Sequence, residues 1–122
     1  MVGRPIIYQG KSPDGRWNLT IYGFEPSDVS TCFYAEFSSI EGGHTAFPFG
    51  FRALPETVKV NWKLPDNVCA IHIGSKCYAL FRWGRTRRRN RDYYRTRGDI
   101  PYTEAEIEHI CAKKHVRLRN RA

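Results

Sequence analysis

Between Trp17 and Tyr22 apolar and polar residues alternate strictly, with Trp17, Leu19 and Ile21 set against Asn18, Thr20 and Tyr22. A period of two places each set on one face, so the stretch predicts a half-buried strand. Ser12-Pro13-Asp14-Gly15, just before it, has the residues of a tight turn: proline presets φ and glycine tolerates the last position. Pro26-Ser27-Asp28 breaks the strand, "TCFYAEF" resumes the alternation, and Glu41-Gly42-Gly43-His44 turns the chain again. Proline and glycine punctuate "FPFGFRALPE", which predicts a loop or irregular edge strand whose phenylalanines fold back onto the sheet.

"TVKVNW" gives the cleanest strand, with Val58, Val60 and Trp62 on one face and Thr57, Lys59 and Asn61 on the other. After a turn at "LPDN", "VCAIHIGSKCYALFRW" reads as two strands joined by Gly74-Ser75, a two-residue hairpin loop. If Ile73 faces Lys76, Cys77 pairs with His72 and Leu80 with Cys69, which puts Cys69 and Cys77 on opposite faces and disfavours a disulfide between them. Farther on, Thr103 and Glu106 have capping-box spacing, and Tyr102 and Ile107 stand at the staple positions. Ile107, Ile110 and Cys111 line one face, and acids lead while Lys113 and Lys114 trail, as the macrodipole favours. A helix from about Glu104 to His115 follows. The expected fold is therefore α+β, an antiparallel sheet of five to six strands with one C-terminal helix covering a sheet face. A chain of 122 residues, 41% hydrophobic, fits a single domain spanning 1–122.

Charge divides that domain in two. Residues 1–81 carry seven Lys/Arg and seven Asp/Glu, whereas residues 82–122 carry thirteen Lys/Arg against five acids and supply the whole net charge of +8. The first part is a neutral β-rich scaffold, and the second is a basic loop plus helix. Such asymmetry speeds association with an anionic partner. The chain contains no run of about 18 apolar residues of the kind that spans a membrane. "MVGRPIIYQG" has no apolar signal-peptide core, so the chain as given is expected to be cytoplasmic, or periplasmic if it is a mature form. Cys32, Cys69, Cys77 and Cys111 form no C-x-x-C pair, and free thiols are expected over two disulfides.

The densest chemistry is "RWGRTRRRNRDYYRTRG", Arg82 to Gly98, which contains eight arginines and no lysine. Arginine is selected where planar, bidentate contact to carboxylate or phosphate matters. The candidate binding residues are Arg85, Arg87, Arg88, Arg89, Arg91, Tyr93, Tyr94, Arg95 and Arg97. The tyrosines offer base stacking or hot-spot contacts. Lys113, Lys114, Arg117, Arg119 and Arg121 are expected to share a surface with them. The competing reading is a solvated loop paired with Glu41, Glu56 or the helix acids.

Other candidates are weaker. His72 opposite Cys77 is a nucleophile and base without an orienting third group, and reads as core filler. His109 and His115 stand six apart, too far around a helix to share a metal, and His44 lies alone in a glycine loop. Glu104, Glu106 and Glu108 suit a helix N-terminus. Asn18-Leu19-Thr20 and Arg97-Gly98-Asp99 are three-residue matches of the kind that chance supplies, and no phosphate-cradling glycine motif occurs. No catalytic residue, metal or cofactor is expected.

"SPDGRWNLTIYGF", with "VNWKLPDN" later, resembles small bacterial β-rich proteins of the uncharacterised-lipoprotein and immunity-protein kind. The likeness covers these two short segments, and it departs where exported relatives carry a signal sequence or lipid-attachment cysteine. It implies a non-enzymatic role, binding and blocking a cognate toxin or another macromolecule. The combined expectation is a binding protein whose Arg/Tyr surface engages an acidic protein, with RNA or DNA as the alternative partner.

Overall fold

Two four-stranded antiparallel sheets and one helix form the fold in a computed structural model that describes residues 4–24, 31–53, 57–83 and 94–121, with side chains through residue 112. The first sheet holds β1 (Ile6–Lys11), β2 (Trp17–Tyr22), β3 (Phe33–Ser39) and β4 (His44–Phe49), in chain order. The second holds β5 (Val58–Leu64), β6 (Val68–Ile73), β7 (Lys76–Arg82) and β8 (Tyr94–Thr96), also in chain order, and α1 (Glu104–Arg121) follows. Each strand pairs with its sequence neighbour, as short antiparallel connections require.

Alternation decides which side chains meet. Trp17, Leu19 and Ile21 of β2, Phe33, Ala35 and Phe37 of β3, and Phe47 and Phe49 of β4 turn inward from the first sheet. Cys69, Ile71 and Ile73 of β6 and Ala79 and Phe81 of β7 meet them from the second, and the two sets share one core. At its centre Phe37 lies on Phe81 with centroids 3.7 Å apart and planes 12° apart, and Trp17 meets Phe81 edge-on at 5.2 Å. The opposite face of the second sheet gives Val68, Ala70, Cys77 and Leu80 to a smaller cluster with Ile107 and Cys111 of α1. The expected helix on one sheet face is present, and the layers run sheet, sheet, helix.

The strand count needs correction: the described residues form eight strands in two sheets, not five to six in one. β1 escaped the period-two pattern because adjacent Ile6 and Ile7 straddle a register shift between Ile6 and Tyr8, and both stay exposed. β8 is three residues long and sits inside the arginine run. "FPFGF" begins within a regular strand: β4 pairs with β3 from Phe49 to His44, and Pro48 is tolerated because β4 is an edge. In the β6–β7 hairpin Ile73 faces Lys76 and His72 faces Cys77 as expected, but Cys69 faces Phe81, not Leu80. The register shifts between Ile71 and His72, leaving Tyr78 as an extra residue on β7. Cys77 thereby stays on the helix side while Ala79 and Phe81 enter the sandwich. The turn at Pro65–Asn67 holds Asp66 and Asn67 at φ 63° and 62°, a left-handed conformation these side chains tolerate. All four cysteines are buried, and none is in a disulfide.

Along one flank of the sandwich, Tyr8 of β1 folds over Gly10 and accepts a hydrogen bond from Trp62 Nε1 at 3.0 Å, joining the two sheets. A Cβ at residue 10 would overlap the Tyr8 phenol. Gly10→Ala is expected to displace that ring and cost about 1–3 kcal/mol, as overpacking does. Urea unfolding followed by tryptophan fluorescence checks it, and an unchanged midpoint contradicts the joint.

Candidate binding site at the basic end

Residues on either side of 84–93 are fixed by the body of the fold. Trp83, only 8% exposed, joins the sandwich core, and its N–H donates to Asn67 C=O at 2.8 Å. Before it, Arg82 lies 3.5 Å from the Asp66 carboxylate and donates to Ile110 C=O of α1 at 3.1 Å. On the far side, Tyr94 pairs with Phe81 across β7–β8, and its ring stacks on Phe47 of the opposite sheet at 4.4 Å and 5°. Gly50 N–H then donates to Gly98 C=O at 2.8 Å, tying the residues after β8 to the end of β4. Arg85, Arg87, Arg88, Arg89, Arg91 and Tyr93 lie outside the described residues.

The three described members of the candidate set take different roles. Tyr94 is half-buried and its ring is committed to Phe47. Arg95, next along, is exposed. Arg97 donates to both Glu106 carboxylate oxygens, at 2.9 and 3.0 Å, and to Pro101 C=O at 2.7 Å. Its guanidinium lies 4.2 Å from the Tyr102 ring centroid, within cation–π range. Pairing of the run with a helix acid was the competing expectation, and Arg97 meets it; Glu41 instead pairs with Arg16.

Glu106 also closes the expected capping box. It accepts from Thr103 N–H at 2.8 Å, while Thr103 Oγ1 accepts from Glu106 N–H at 3.2 Å. The Arg97 hydrogen bonds first, and then those from Thr103, hold the Glu106 carboxyl down at about 2. The same carboxylate raises Arg97. Burial pushes the Tyr102 phenol up, and the charges of Arg97 and Arg95 oppose it. Tyr102 and Ile107, the staple pair, meet in the helix-side cluster.

His72 and Cys77 are cross-strand neighbours. Burial raises the Cys77 thiol to about 11, leaving it protonated at neutral pH, and its Sγ lies 3.5 Å from Ala79 C=O. Burial, with the Lys59 charge behind it, lowers His72. Asn18 and Thr20 lie within β2, paired on both sides, and the arginine of Arg97-Gly98-Asp99 is held by Glu106. Among the described residues no three His, Cys, Asp or Glu side chains are placed to hold a metal ion, and no helix is long and apolar enough to cross a membrane.

Sequence reasoning missed a polar network on the outer face of the first sheet. Tyr22 Oη donates to Glu36 at 3.0 Å, and His44 Nε2 lies 3.0 Å from the other Glu36 oxygen, so His44 is not alone. The His44 and then the Tyr22 hydrogen bond lower the Glu36 carboxyl. A period-two pattern with partners on three strands leaves no local signal for such a network.

Fold and site together define a two-sheet sandwich backed by a helix, with an arginine-rich connection in its last hairpin. Comparison of the chain with protein-family models, curated proteins and solved structures found no match.

The Glu106 carboxyl is depressed on folding, so the stability it contributes is present above its ordinary value of 4.5 and is lost as pH falls toward about 2. The difference in Tm between wild type and Glu106→Gln should be constant from about pH 5 to 7 and shrink to nothing near pH 2. A pH-independent difference contradicts the clamp.

Proposed function

We propose that the chain is a non-enzymatic binding protein whose basic end engages an acidic macromolecule. Arg85, Arg87, Arg88, Arg89 and Arg91 make the contact, with Tyr93 and Arg95 beside them. One observation carries the reading: the described residues on either side of these arginines, Trp83 and Tyr94, are both packed into the sandwich. Arginines held between two fixed points lose less freedom on binding than those of a free tail. Arg97 is assigned to positioning the residues after β8 and Tyr94 to packing. The protonated Cys77 thiol favours binding over catalysis.

The test is a pull-down from the native host with the full chain as bait, comparing wild type with the triple variant Arg87→Ala, Arg88→Ala, Arg89→Ala, with and without nuclease. The triple variant should lose the captured partner while keeping the wild-type Tm. Retrieval of the same partners by both proteins removes the arginine segment as the interface.

A further inference from the structure

The strands carry two histidines, in opposite surroundings. His44 of β4 stands 3.0 Å from the Glu36 carboxylate, so a proton on its ring completes an ion pair. His72 of β6 pairs with Lys59 of β5 on one side and with Cys77 of β7 on the other. Alternation along β6 turns Ile71 and Ile73 into the sandwich and leaves His72 on the helix side, the side of Ala70 and Cys77.

That position is half-buried, and among the described residues no acid is paired with it. Burial first, and then the Lys59 charge, hold the His72 imidazole below its ordinary value of 6.5. The Cys77 thiol is protonated at neutral pH and supplies no negative charge. Tyr102, whose N–H donates to Cys77 C=O at 2.8 Å, has its phenol pushed up by burial. Lys76, at the start of β7, is a further exposed cation. On α1, Glu104, Glu108 and His109 are exposed, and Glu106 is held by Arg97.

We infer that His72 is an acid-sensitive switch: its protonation sets two like charges opposite each other across β5 and β6 and loosens the second sheet beside the Cys77–Tyr102 bridge. Like charges directly opposite on one sheet face are destabilising, and an imidazolium in a half-buried site loses hydration without gaining a partner. Histidine is the side chain whose ordinary titration falls between about pH 5 and 8. Because folding lowers the His72 value, the stability tied to its neutral form is complete above about 6.5 and is lost as pH falls below it. The switch does not depend on what the basic end binds. It bears on that end because β7 leads from Cys77 to Arg82, which is also bonded to α1.

Native-state hydrogen exchange of the full chain at about pH 7.5, 6.5 and 5.5, corrected for the intrinsic rate at each pH, tests the switch at the Tyr102 amide. Wild-type protection there should fall at least about threefold from the highest to the lowest pH. In His72→Gln the fall should vanish, in Lys59→Gln it should shrink, and in His44→Gln it should persist. His72→Asn takes the place of His72→Gln if that variant does not fold. Unchanged wild-type protection across this range overturns the switch, as does a fall of wild-type size in a folded His72 variant. A fall of wild-type size in Lys59→Gln, where the opposing charge is gone, overturns it as well.

Discussion

The contact of Phe37 with Phe81 across the two sheets is the constraint on which the other features depend. Each four-stranded meander has an apolar face that must be buried against another element, and the two sheets bury theirs against each other. Phe81 links that burial to the basic end. Its ring stacks on Phe37, its backbone pairs with Tyr94, and two residues later the chain leaves at Trp83. Tyr94 returns the chain to the same core by stacking on Phe47. The residues on either side of the arginine segment, Trp83 and Tyr94, are thus both tied to this core.

Several described arginines are structural charge, each tied to an acid of the fold. Arg16 meets Glu41, Arg82 meets Asp66 and a helix carbonyl, and Arg97 meets Glu106 while covering Tyr102. A planar guanidinium suits such joints because it satisfies a carboxylate and a backbone carbonyl together. These pairs fix α1 and the residues after β8 on the second sheet. Along the chain the unbalanced cations fall in residues 84–93 and 112–121.

Much of this was legible in the sequence because it is local. The alternation in β2, β3 and β5, the β6–β7 hairpin and the Thr103–Glu106 box each depend on residues close together in the chain, and each is present. What stayed hidden is non-local. β1 shows no alternation because its inward side is a tyrosine lying over a glycine, an arrangement that makes sense only once Trp62 of the other sheet is in place. β8 is three residues in a charged run, recognisable only through its pairing with β7. The extra Tyr78 shifted one cross-strand pairing, and composition alone could not say that Arg97 and Tyr94 serve packing while Arg95 between them stays exposed.

The central claim is that the residues on either side of the arginine segment are fixed. Native-state hydrogen exchange measures this on either side of it, at the Trp83 amide bonded to Asn67 and the Gly50 amide bonded to Gly98. The account predicts that both exchange only through global unfolding, with the same free energy as amides of β3 and β6 at the core. Exchange of either amide at the rate of an unstructured chain, while the core stays protected, would contradict it.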